Sequence, residues 1–152
     1  MDEQLKSRFK KVLEHYAGVI KERDDALIRE KTAREQFEAS FRTVVDRVIP
    51  AAEQVKELVT PKNWICRATK ADNALSAKIE IYQGNMKATT GERPHVKISA
   101  AAKGGDVQIY LASQSSGGSK QSVTKVEEVN ERLVQGYLLE LLEKLVAEGP
   151  PR

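Results

Sequence analysis

Two stretches near the amino terminus decide the fold: 5-LKSRFKKVLEHYAGVI-20 and 37-FEASFRTVVDRVI-49. Their apolar residues recur at alternating spacings of three and four, which is typical of an amphipathic helix whose apolar side follows the coiled-coil period. No proline and one glycine, Gly18, fall within residues 3–49. The pattern therefore predicts one long helix. A turn near Asp24 and Asp25 stays open as an alternative, although it would lack the usual Gly or Pro.

The apolar side of this helix predicts self-association. A helix of about 47 residues, rising about 1.5 Å per residue, extends on the order of 70 Å. A domain of this size cannot cover it, so we expect a second copy to do so. The expected oligomer contacts are Leu5, Phe9, Val12, Tyr16, Val19, Phe37, Phe41, Val44 and Val48.

Two charged residues, Arg23 and Glu30, interrupt the apolar side. They could pair across an antiparallel dimer and set its register. The alternative is a solvent-exposed helix without a partner.

Pro50 predicts a kink or the end of the long helix. Proline lacks the amide hydrogen and crowds the preceding turn. We therefore expect the first helix to end near Ile49 and a short helix to cover residues 51–59, with Pro50 in its first turn. Residues 1–59 are predicted to be a helical oligomerisation arm.

The middle of the chain changes to a period of two. Apolar and polar residues alternate over 77–82, 95–100 and 107–112, and turn residues separate these runs. Trp64–Thr69 adds a strand, and a stretch ending near Val123 adds a possible fifth. This pattern predicts a four- to five-stranded antiparallel meander with one apolar face.

A second helix is predicted to cover that apolar face. Apolar residues recur at helical spacing from Val126 to Val146, and Thr124 with Glu127 forms a capping-box signature. Gly149 and the two prolines after it end the helix. The predicted fold class is α+β, with an arm over residues 1–59, a sheet-plus-helix domain over 60–148 and a tail over 149–152.

The polar face of the predicted sheet is electropositive. Residues 60–125 contain ten basic and four acidic side chains. The strand pattern places a group of cations and rings on or near that face: Arg67, Lys78, Tyr82, His95, Lys97 and Tyr110. Rings among cations can stack bases and neutralise phosphates. The other interpretations are an acidic protein partner and an ordinary solvated sheet.

Composition excludes several classes of function. Charged residues make up 31% of the 152 residues, the net charge is +3, and no apolar run is long enough to span a membrane. The start of the chain does not resemble a secretory signal, and Cys66 is the single cysteine. We therefore expect a cytoplasmic protein without disulfides.

Candidate chemistry is sparse. The glycines at 117 and 118 are adjacent, and Ser119 precedes Lys120, so residues 114–120 do not fit a phosphate-binding loop. The two histidines lack ligand spacing, so no metal or cofactor is expected. Cys66 lies in a predicted strand and is expected to fill the core.

The predicted function is a non-catalytic assembly or adaptor protein. It would form homo-oligomers through the amino-terminal helix and dock an unknown protein partner with the sheet domain. The alternative is a single-stranded nucleic-acid-binding protein that uses the basic sheet face. A membrane partner is not expected.

Overall fold

The computed structural model describes residues 1–85, 93–114 and 119–149. Within these ranges two helices and five strands follow in chain order: α1 (Glu3–Val59), β1 (Trp64–Lys70), β2 (Ser76–Gln83), β3 (His95–Ala100), β4 (Asp106–Ala112), β5 (Lys120–Lys125) and α2 (Glu131–Glu148). Short 3-10 turns, Thr60–Lys62 and Val126–Glu128, follow α1 and β5. The α+β class, the antiparallel sheet and the helix that covers it are confirmed.

The chain divides into two compact units, Met1–Gln36 and Phe37–Arg152. We call them the N-terminal unit and the sheet unit. The sequence pattern placed the boundary after residue 59, and the structure places it after Gln36. The reason is that α1 contributes core residues to the sheet unit from Phe37 onward.

Four of the predicted oligomer contacts belong to this core. Phe41 and Val48 are 0% and 1% exposed, and Phe37 and Val44 are also buried. They pack in one cluster with strand residues such as Ile79. Their assignment to an oligomer interface is therefore wrong, because the sheet unit itself covers them.

Pro50 does not end α1. The helix runs through it to Val59, so the separate helix predicted over 51–59 is part of α1. Pro50 is exposed, whereas its neighbours Val48, Ala51 and Ala52 are buried. Packing of these buried neighbours stabilises the helix across Pro50, where one backbone hydrogen bond is lost.

The five strands form a meander in the order β1-β2-β3-β4-β5, and all neighbours are antiparallel. One face carries buried aliphatic residues, among them Ile79, Ile98 and Ile109. Helix α2 covers this face with Val134, Leu138, Leu141 and Leu145. The second half of α1 shares the same core, and the two helices meet where Gln135 Nε2 donates to Gln54 Oε1 at 2.8 Å.

Helix α2 begins later than the predicted capping box. Thr124 lies in β5, where its hydroxyl donates to Glu128 Oε2 at 2.6 Å. The N-cap is Asn130, whose Oδ1 accepts from the backbone N–H of Leu133 at 2.9 Å. The capping-box prediction is wrong because the 3-10 turn Val126–Glu128 separates the strand from the helix.

Candidate interaction surfaces

The N-terminal unit exposes large apolar side chains along most of its length. Five of the predicted contacts, Leu5, Phe9, Val12, Tyr16 and Val19, are between 45% and 67% exposed. Within Met1–Gln36 no residue is buried. Contiguous exposed apolar surface of this kind is rare on monomeric proteins.

The same unit exposes apolar residues that the sequence prediction left out: Leu13, Ile20, Leu27 and Ile28. Leu13, Ile20 and Leu27 repeat at every seventh position beside the columns that start at Leu5 and Phe9. The apolar side is therefore three columns wide, whereas a strict two-helix seam needs two. Ile28 lies outside these columns. The heptad repeat was the signal that would have identified the third column.

A second apolar surface lies on the sheet unit, in a groove between the end of α1 and α2. Its volume is about 530 Å³, and Val55, Leu58, Trp64, Leu139 and Val146 are among its lining residues. Leu58 and Val146 are 78% and 65% exposed. Lys62 is the charged residue on its rim among the described lining residues. The groove is open and apolar, and it has a positive charge at one edge.

The opposite face of the sheet brings the predicted cations and rings together. Strand register places Lys78 opposite Lys97, and Lys97 opposite Tyr110. In the adjacent row Arg67 lies opposite Glu80, and Glu80 lies opposite His95. Tyr82 shares the face, one step further along β2. The register therefore places Lys78, Tyr82, Lys97 and Tyr110 on one face, as predicted, and it places Arg67 and His95, which were predicted to lie nearby, on the same face.

Exposure on this face differs from the expectation at two positions. Tyr82 is 7% exposed and His95 is 2% exposed. The guanidinium of Arg93 lies 4.3 Å from the Tyr82 ring centroid, and Arg93 Nη1 donates to the Tyr82 hydroxyl at 2.8 Å. Tyr82 therefore has a covered ring, whereas Tyr110 is 38% exposed and offers its ring to solvent.

A polar concavity lies on this face beside Tyr110, and we call it the lysine cavity. Its volume is about 390 Å³, and its lining includes Thr69, Lys70, Lys78, His95, Lys97 and Tyr110. The described residues that line it include no carboxylate. Lys70 is also 3.7 Å from Asp46 in an exposed ion pair with α1. The cavity collects positive charge beside an exposed ring.

Cys66 fills the core, as predicted. Its side chain is buried, and Sγ lies 3.6 Å from the backbone oxygen of Ala52 in donor geometry. Burial, with a smaller contribution from Glu53, raises the pKa of the Cys66 thiol to about 11. The thiol is therefore protonated at neutral pH, which makes it a poor nucleophile and a poor metal ligand.

The described residues offer little else to chemistry. Over 1–85, 93–114 and 119–149, no three His, Cys, Asp or Glu side chains are grouped so as to hold a metal ion. His15 lies on the exposed N-terminal unit and His95 on β3. The loop weighed as a phosphate cradle includes residues 115–118, which lie outside the described residues. Within the described ranges, no helix has the length and apolar character that crossing a bilayer requires.

Comparisons of this chain with protein-family models, with curated proteins and with solved structures found no match.

Proposed function

We propose that this chain is a non-catalytic assembly protein that self-associates through the N-terminal unit and docks a protein partner with the sheet unit. The observation that carries the proposal is the exposure of the apolar side of residues 5–27. Every large apolar side chain in this range is exposed. Removing such a surface from water contributes about 25 cal/mol per Å², so a second copy of the same surface is a favourable partner.

The width of the apolar side bears on the assembly. Three apolar columns per heptad favour a helix with neighbours on more than one side, as in a bundle of two or more copies. Arg23 interrupts the Phe9 and Tyr16 column, and Glu30 is the next member of that column. In an antiparallel pairing these opposite charges could meet, which would favour one register over others.

Light scattering of two chains tests the self-association. A chain shortened to residues 32–152 keeps every α1 residue that packs in the sheet-unit core. We expect the full chain to be a dimer or larger assembly at micromolar concentration and the shortened chain to be a folded monomer. A monomeric full chain contradicts the proposal. A shortened chain that remains associated also contradicts it, because the sheet unit would then hold the assembly together.

The groove on the sheet unit supports the docking part of the proposal. Its two walls are helices and its lining is apolar, which suits the apolar side of a partner helix. Lys62 on the rim favours a partner helix that carries an acidic residue at the matching end. The proposed occupant is therefore an amphipathic helix with an acidic end from another protein.

Selection of displayed helical peptides on the full chain tests the groove. We expect the enriched peptides to share apolar residues at helical spacing and an acidic residue at one end. Leu139→Glu should abolish their binding, whereas Glu131→Gln, a change in the exposed first turn of α2, should leave it unchanged. Absence of such peptides, or binding that Leu139→Glu leaves intact, contradicts the assignment.

A further inference from the structure

Two lysines face each other across the open side of the sheet. Lys78 of β2 and Lys97 of β3 are directly opposite in the register, and residues so placed have Cβ atoms about 4.5–5.5 Å apart. Like charges in such a pair destabilise a sheet. Among the described residues, neither lysine forms an ion pair. An anion seated between them would relieve the repulsion.

The lysine cavity supplies the space for that anion. Both lysines line it. Lys70 also contributes to the lining, but it is opposite Ala77 in the register and its ammonium pairs with Asp46 on the helix-covered face. Asp46 faces Lys70 from α1, and Glu80 lies on the same sheet face opposite Arg67. Neither carboxylate lines the cavity. The hydroxyls of Thr69 and Ser76, which also line it, can add hydrogen bonds to a phosphate.

An exposed aromatic ring adjoins the two lysines. Tyr110 is the cross-strand neighbour of Lys97, and its ring centroid lies 6.0 Å from that of the buried His95. The ring nitrogen Nδ1 of His95 lies 2.8 Å from the carbonyl oxygen of Arg93, so the imidazole has a fixed position behind the tyrosine. Such a supported ring beside cations is a stacking platform for a base.

We propose that the lysine cavity binds a nucleotide unit, with its phosphate between Lys78 and Lys97 and its base stacked on Tyr110. The unit could belong to a free nucleotide or to a single nucleic-acid strand, since both present the same phosphate and base. This site is independent of self-association, because none of its residues lies in the N-terminal unit.

Fluorescence anisotropy with a labelled oligo(U) strand tests the site, with unlabelled UMP as competitor. We expect binding at low ionic strength. Lys78→Gln/Lys97→Gln should weaken it about tenfold or more, as expected for charge-assisted contacts to phosphate. The same double variant should reduce the slope of log affinity against log salt by about 0.7, because a single phosphate loses its neutralising cations. Lys103→Gln/Lys125→Gln removes the same charge outside the cavity and should change affinity much less.

Substitution of Tyr110 separates stacking from charge. Tyr110→Ala should weaken binding about fivefold or more, whereas Tyr110→Phe should retain it, because either ring can stack. Tyr82→Phe tests the covered ring and should have little effect. Competition by UMP at similar concentrations would identify a free nucleotide as the ligand, and competition by strands alone would identify a nucleic acid.

Thermal unfolding shows whether the variants remain folded. Lys78→Gln/Lys97→Gln should melt no lower than the parent chain, because it removes a repulsive pair. The proposal is overturned if neither oligo(U) nor UMP binds at low salt. It is also overturned if the folded double-lysine variant binds as tightly as the parent.

Discussion

The thiol of Cys66 in β1 lies 3.6 Å from the backbone oxygen of Ala52 in α1, in donor geometry. This contact links a residue that follows Pro50 in the helix to the edge strand of the sheet. It shows why the last turns of α1 belong to the sheet unit, and why α1 serves two purposes. Its first part exposes an apolar side, and its second part completes a core.

The second part of α1, from Phe37 onward, contributes to the core. Phe41→Ala should therefore strongly lower the free energy of unfolding. Phe41 is fully buried and contacts Phe37, with ring centroids 6.2 Å apart. Truncating a buried phenylalanine costs about 3–5 kcal/mol through lost burial and the cavity left behind. Urea unfolding of the 32–152 chain measures it. Leu58→Ala, at an exposed site on the same helix, should change the free energy of unfolding by no more than about 0.5 kcal/mol. Similar small effects at both sites would contradict the assigned core.

Pro50 predicts a stabilising substitution. The residue lies within a continuous helix and on its exposed side, so alanine can restore a backbone hydrogen bond without entering the core. Proline in a helix interior costs about 3 kcal/mol relative to alanine. The gain on substitution should be no larger than this, because the surrounding core is already packed around the helix that contains Pro50. Pro50→Ala should therefore raise the free energy of unfolding of the 32–152 chain by about 1–3 kcal/mol. A fall in stability would indicate that α1 needs the proline at this position.

The burial of Cys66 predicts slow chemical modification of its thiol and a pH dependence of the free energy of unfolding. The pKa of Cys66 is raised from 9.0 to about 11, so the folded chain holds a proton that the unfolded chain releases in this interval. The contribution of this group to stability is therefore constant below pH 9 and falls as the pH rises toward 11. Alkylation by iodoacetamide at pH 8 should be slow in the folded chain and fast in urea. Rapid modification of the folded chain would contradict the burial of Cys66.

The alternation of apolar and polar residues was sufficient to predict the strands and the face each side chain takes. Val96, Lys97 and Ile98 alternate as the register requires. The burial of Tyr82 was beyond such a pattern, because it depends on Arg93, a residue outside the strands, folding over the ring. The sequence pattern also did not show which part of α1 is buried. Phe9 and Phe37 occupy equivalent heptad positions, and tertiary packing decides that one is exposed and the other buried.

The start of α2 shows a similar limit. Thr124 and Glu127 have the spacing of a capping box, yet Asn130 performs the capping. The pairing of β5 with β4 extends to Lys125, so the strand holds Thr124 in an extended conformation. A local motif is overridden here by a long-range pairing that a single sequence does not reveal.

We propose that the exposed apolar columns of the N-terminal unit hold copies of this chain together. Sedimentation equilibrium of Phe9→Glu/Tyr16→Glu tests it most directly, because both side chains are exposed and their loss leaves the sheet unit intact. Lys11→Gln/Lys21→Gln is the matched control, since it shifts the net charge by the same amount on the opposite side of the helix. We expect the parent and the control to be associated and the Phe9→Glu/Tyr16→Glu chain to be monomeric. A parent and an apolar-side variant of equal mass, whether both monomeric or both associated, would contradict it.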